Sequence, residues 1–210
     1  MYRFMYRFLK ALALLIYPVL FRLQVVGSEH FPQQGPYLLA TNHISAFDIP
    51  VLFIACPHTI RAFAADKHKR NPIFAPILVA TRVVWVRRGE VDRTALREAM
   101  QVLERGEVLG VAPEGTRARS VYALQEGKTG VAYLATRANV PILPVGVTGT
   151  EKLKENLLRL RRTTVRVAVG EPIRLPENGR VRGPQLEAYT DQLMRRIAAL
   201  LPVEYRGVYA

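Results

Sequence analysis

From Leu23 onward, short runs of aliphatic and β-branched residues alternate with longer stretches whose apolar positions recur at helical spacing. The short runs predict strands at residues 23–26, 37–40, 60–64, 83–86, 108–111, 142–147 and 164–169. The patterns between and after them predict helices at 49–55, 71–81, 92–105, 127–138, 151–160 and 184–200. Alternation of this kind predicts an α/β fold: a mixed, largely parallel sheet flanked by helices. In such sheets, reactive groups and ligands gather beyond the carboxyl ends of the strands. Polar clusters in this chain follow the runs at 37–40, 83–86, 108–111 and 142–147.

Residues 1–22 carry a different pattern. They are the most apolar part of the chain, with Arg3, Arg7, Lys10 and Arg22 set among tyrosines and phenylalanines. A spanning helix needs about 20 apolar residues, whereas the uninterrupted stretch here, 11–21, is shorter and contains Pro18. The segment therefore predicts an N-terminal apolar, membrane-associating helix that lies in the interface, rings at headgroup level and basic residues toward anionic lipid. A core helix packed on the domain is the other use of such a pattern. A secretory leader is not indicated, because no small-residue cleavage site follows. The expected organisation is a membrane-associating helix at 1–22 and one domain at 23–210, attached peripherally or monotopically at the cytoplasmic face of a membrane.

Charge narrows the partners. Lys and Arg number 30 against 17 Asp and Glu, a formal +13, which favours nucleic acid, a membrane surface with anionic lipid, or phosphorylated substrates. One cysteine, Cys56, excludes an internal disulfide framework and a thiolate zinc cluster. The histidines His30, His43, His58 and His68 lack metal-ligand spacing, so no metal is expected.

The stretch that concentrates chemistry is Thr-Asn-His-Ile-Ser-Ala-Phe-Asp-Ile-Pro, residues 41–50. His43 and Asp48 lie five residues apart between a predicted strand and a predicted helix. Pro50 is compatible only with the first turn of that helix, which places its start near Asp48, with Asp48 or Ser45 as cap. A neutral imidazole suits proton abstraction near pH 7, and a carboxylate on one ring nitrogen fixes the tautomer that leaves the other as base. Each residue also has a plainer use, Asp48 as a helix cap alone and His43 as a loop residue bonded to backbone. The run Arg87-Arg88-Gly89-Glu90 offers two guanidiniums for an oxyanion, or a solvated surface. The run at 112–119, with Pro113, Glu114, Gly115, Thr116, Arg117 and Arg119, offers a tight turn fit for a phosphate, or an ordinary surface turn. Gly146 and the prolines Pro141 and Pro144 mark a strand that lines or closes something.

Taken together, these clusters resemble the glycerolipid acyltransferases of the 1-acylglycerol-3-phosphate type. The N-H-x-x-x-x-D motif matches Asn42, His43 and Asp48. The arginine motif matches at Arg88, with Arg87 as the alternative register. The F-P-E-G-T-R-S motif matches from Pro113 to Arg117, with Ala112 in place of its aromatic residue and Ala118 in place of its serine. The apolar run with a proline matches at Pro144. The resemblance covers 23–169. It implies transfer of a fatty acyl group from acyl-CoA or acyl-carrier protein to the sn-2 hydroxyl of lysophosphatidate, giving phosphatidate. It further implies His43 as general base, Asp48 as its orienting partner, and Arg88, Glu114, Gly115, Thr116 and Arg117 around the acceptor phosphate. No cofactor is implied. Glycerol 3-phosphate or another lysophospholipid is the alternative acceptor.

Other classes fit less well. No G-x-S-x-G elbow is present for a serine nucleophile, and Tyr122 stands where a P-loop before Lys128 needs its first glycine. A basic nucleic-acid-binding protein is the competing class, but no reader motif or stacking set of aromatics accompanies the basic runs, and no nucleic-acid partner is expected. Phe47, Phe53, Phe74 and Trp85 are the candidate walls of an acyl tunnel, or plain core.

Overall fold

The computed structural model describes residues 2–72, 74–87, 89, 92–118, 122–176, 181 and 183–210. Strands β1 (Phe21–Val26), β2 (Leu38–Thr41), β3 (Ile60–Ala65), β4 (Val84–Val86), β5 (Val108–Val111), β6 (Ile142–Thr148) and β7 (Thr163–Val169) form one sheet, ordered β1-β7-β6-β2-β5-β3-β4. Helices α1 (Tyr2–Leu20), α2 (Asp48–Ala55), α3 (Phe74–Ala80), α4 (Arg93–Glu104), α5 (Gly130–Ala138), α6 (Leu153–Leu158) and α7 (Gly183–Ala199) join and flank the strands. Every strand and helix expected from the periodicity is present. From β6 to β4 the strands run parallel, while β7 is antiparallel to β6 and carries β1 parallel to itself. The sheet is thus mixed and largely parallel.

The core explains why the apolar runs are unbroken. On β2, Leu38, Leu39 and Ala40 are all fully buried. Leu38 and Ala40 join α4, α5 and α7 on one face, through residues such as Val102, Leu134 and Ile197. Leu39 joins α2 on the other through Val51 and Leu52. A strand covered on both faces needs no alternation, and each such aliphatic side chain contributes about 1.5–3 kcal/mol by leaving water.

Helix α1 ends at Leu20, and Phe21 and Arg22 already belong to β1, paired with Thr163 and Thr164. The buried Phe21 ring meets both elements at this junction, the Tyr17 ring of α1 at 5.5 Å and the apolar core on the sheet. One face of α1 is docked: the buried Tyr6 accepts from the Ile60 N–H at 2.9 Å and meets the Phe53 ring at a tilt, with centroids 4.6 Å apart, and Lys10 donates to the Cys56 carbonyl. Among the described residues no helix is long and apolar enough to cross a membrane.

Candidate active site

Three neighbouring parallel strands, β6, β2 and β5, end side by side, and the loops leaving them bring Thr150, His43 and Glu114 together. Asn42 sets the register. Its side-chain amide donates to the Val147 carbonyl at 2.9 Å and accepts from the Val147 N–H at 2.8 Å, continuing the β2–β6 ladder by one rung with a side chain. That fixes where the chain turns out into His43.

The His43 Nδ1 lies 2.8 Å from Asp48 Oδ2. The same carboxylate oxygen accepts from the N–H groups of Ile44 and Ser45, each at 2.9 Å, and Oδ1 accepts from the Thr150 hydroxyl. Asp48 is fully buried and acts as acceptor at all these contacts. The Nδ1 therefore carries the proton, a tautomer that follows from the network. Nε2, without a hydrogen-bond partner among the described residues, is left on a ring that lines a cleft. This corrects the expectation that Asp48 or Ser45 caps α2: the residue before the helix is Phe47, with no side-chain cap, because the Asp48 carboxylate instead closes the loop onto His43.

The turn after β5 grips the histidine by its backbone. Glu114 Oε1 accepts from the His43 N–H at 2.9 Å, and the Ala118 N–H donates to the His43 carbonyl, also at 2.9 Å. Glu114 Oε2 accepts from the Gln125 N–H at 3.1 Å. Glu114 is 2% exposed, and this burial pushes its carboxyl up to about 7 against the pull of the two backbone N–H groups. Both its oxygens accept from N–H donors inside the protein, so the Glu114 side chain ties the turn to the backbone at His43. Ala118, where the motif has serine, is buried as well. The segment at 204–210 supports the same turn: Leu124 N–H donates to the Tyr205 carbonyl at 2.9 Å and Gly127 N–H to the Tyr209 hydroxyl at 3.1 Å.

The cleft beyond His43 has a volume of about 1390 Å³ and runs along the groove between α4 and α5. Its apolar walls come from Phe63, Leu96, Met100 and Leu134, and Ala112 lines it where the motif has an aromatic residue. The candidate wall residues sit elsewhere. Phe47 and Phe74 are exposed, Phe53 packs under Tyr6, and Trp85 lies beneath the Lys69 ammonium at 5.2 Å. Periodicity identifies large apolar residues but not which face of the sheet meets the cleft.

Polar groups line the cleft as well, among them Arg93, Arg97 and Glu104 of α4 and Arg137 of α5. Gly115, at a φ of 70°, and Thr116 line it, and the Lys128 side chain lies against the place a Cβ on Gly115 would take. Arg87 also lines it, its guanidinium 3.6 Å from Asp92. Asp92 caps α4 through the N–H groups of Thr94 and Ala95 and accepts from the Arg87 N–H at 3.0 Å, contacts that hold its carboxyl below the usual range. Arg88, Glu90 and Arg119 lie outside the described residues. Arg117 is half-buried, and Lys128 is among the residues that line the cleft. Pro144 is buried within β6 opposite Ala40, three residues before the Val147 contact to Asn42.

Sequence reasoning missed Thr150, Gln125 and Asp92 as supports. The one signal for Thr150 is Gly149, whose φ of 89° and approach to the Thr164 carbonyl leave no room for a Cβ. That glycine marks the sharp turn that delivers Thr150 to Asp48.

The sequence profile of the Acyltransferase family matches residues 22–148. A 1-acyl-sn-glycerol-3-phosphate acyltransferase from Borreliella burgdorferi is 35% identical over 133 residues, which are 60% of this chain and 51% of that one. The chain thus spans about half the length of that relative. One from Bacillus subtilis is 22% identical over 84% of this chain and 87% of its own. The crystal structure of the 1-acyl-sn-glycerophosphate (LPA) acyltransferase PlsC from Thermotoga maritima shares the fold, with a TM-score of 0.72 at 23% identity over 95% of this chain and 79% of that one. The chain belongs to the acyltransferase family, the family of the 1-acyl-sn-glycerol-3-phosphate acyltransferases.

Proposed function

We propose that the chain moves a fatty acyl group from acyl-CoA or acyl-carrier protein to the sn-2 hydroxyl of 1-acylglycerol 3-phosphate, giving phosphatidate. The observation that carries this reading is the His43–Asp48 pair, 2.8 Å apart, with the His43 ring lining a cleft that has apolar walls. His43 Nε2 takes the hydroxyl proton, and the acceptor oxygen attacks the thioester carbonyl. The tetrahedral oxyanion then collapses, expelling the thiolate, which recovers the proton from the imidazolium. Asp48 holds the ring in its tautomer and offsets the imidazolium charge, with Thr150 and two backbone N–H groups holding Asp48. General-base help of this kind contributes about 10² to 10⁴ in rate.

The acceptor phosphate is assigned to Gly115, Thr116, Arg88 and Arg117, joined by Arg87 and Lys128 from the cleft lining. Asn42, Pro144 and Glu114 position the histidine loop rather than touch substrate. The acyl chain takes the apolar groove. Residues 1–22 associate with a membrane surface carrying anionic lipid, the docked face of α1 toward the domain and Phe4, Phe8, Leu15 and Val19 outward.

The test is thiol release from a long-chain acyl-CoA, repeated with acyl-carrier protein as donor. Lysophosphatidate, glycerol 3-phosphate and lysophosphatidylcholine are supplied in turn. Release dependent on lysophosphatidate, with phosphatidate as product, supports the assignment. Release dependent on glycerol 3-phosphate alone moves the acceptor, and no release with any pairing overturns it.

A further inference from the structure

Helix α3 has the sequence Phe-Ala-Pro-Ile-Leu-Val-Ala, apolar throughout, yet none of its residues is buried. Phe74 is 52% exposed, Ile77 49% and Val79 63%. A helix apolar on all sides is expected inside a core or against another apolar phase, and an exposed apolar patch marks an interaction surface. Two neighbours identify that phase. α3 packs against α1, whose outward face also exposes phenylalanine, leucine and valine, so the two make one apolar surface. On its other side α3 contacts the 3-10 turn Asp66–Arg70, where Lys67, Lys69 and Arg70 are exposed and Asp66 is the one acidic residue, paired with Lys69 at 2.8 Å. Apolar side chains bordered by basic ones match the acyl boundary and the anionic headgroups of a bilayer.

We propose that α3 and the 66–70 turn form a second membrane-docking element, entering an anionic bilayer surface beside α1. This rests on the membrane reading of α1 given above and extends it to a part of the chain that the N-terminal segment does not include. Docking through two elements fixes rotation about the α1 axis, which one interfacial helix leaves free. It also brings β4, which follows α3, and its Arg87 end into a defined orientation to the lipid surface.

The test uses the full chain. Cys56 is buried, so an environment-sensitive fluorophore on Val79→Cys reports on α3 alone. With phosphatidylcholine vesicles containing one quarter phosphatidylglycerol, the label is expected to shift to the blue and to be quenched by spin-labelled lipid. Ile77→Glu with Val79→Glu is expected to lower vesicle partitioning at least tenfold. Lys67→Glu with Lys69→Glu and Arg70→Glu is expected to lower it at least tenfold on the anionic vesicles and to leave neutral ones unchanged. Thermal midpoints matching the wild type exclude misfolding.

Partitioning unchanged in both variants, while Phe8→Glu with Leu15→Glu abolishes it, overturns the proposal and leaves α1 as sole anchor. A self-association that the α3 variant breaks without changing partitioning assigns the surface to a second copy, and overturns it too. Failure of the wild type to bind vesicles overturns both membrane assignments. Thiol release measured in detergent alongside keeps that outcome separate from loss of the catalytic reading.

Discussion

Glu114→Gln probes the carboxylate that ties the turn after β5 to the His43 backbone. In the unfolded chain this carboxyl titrates near its ordinary value of 4.5, and in the fold burial raises it to about 7. The folded protein therefore binds the proton more tightly, and stability must fall as pH rises between these values. Glu114's contribution is full below about 4.5 and lost as pH passes through about 7. At about 1.4 kcal/mol for each pH unit, the loss across this window is about 3 kcal/mol. Glutamine keeps a carbonyl oxygen for the His43 N–H and carries no titration, so its contribution is flat. Urea unfolding followed by the chain's one tryptophan, Trp85, at steps from pH 4.5 to 8 compares the two proteins. The variant should gain about 3 kcal/mol on the wild type across the series, whatever constant offset the lost Gln125 contact adds. A difference that does not change with pH would refute the reasoning: Glu114 would then be ionised in the fold throughout.

Asp48→Asn should lower kcat by about 10² to 10⁴ with little change in KM, because an amide at this buried site cannot accept from every donor that Asp48 meets; steady-state kinetics checks it. Thr150→Val removes the hydroxyl donor to Asp48 and should cost about 1–3 kcal/mol in urea unfolding together with part of kcat. Arg88→Ala should chiefly raise the KM for the phosphorylated acceptor, whereas a change confined to the donor KM would move Arg88 to the other substrate.

The sheet was largely readable because β2, β5 and β6 are buried on both faces and write themselves as continuous apolar runs. What those runs do not encode is direction. Nothing in residues 163–169 distinguishes an antiparallel partner of β6 from a parallel one, and nothing in residues 21–26 announces pairing with β7. In the candidate site, His43 and Asp48 were visible because five residues separate them. Thr150, 102 residues from Asp48, was not, since only the order of the strands makes them neighbours. Glu114 was found as a residue but expected to face the acceptor. A motif position carries no record of whether its side chain turns toward the cleft or toward the core, and here burial and two N–H donors turn it inward.

Imidazole rescue tests general-base catalysis by His43 most directly. His43→Ala should be folded, since the Glu114 and Ala118 contacts to this position are made by its backbone. It should also lose acceptor-dependent thiol release by at least about 10²-fold. Added imidazole should restore part of that rate, following the fraction of free imidazole in its neutral form as pH is varied. A folded His43→Ala protein that releases thiol at near the wild-type rate without added imidazole would contradict the assignment of His43 as the base.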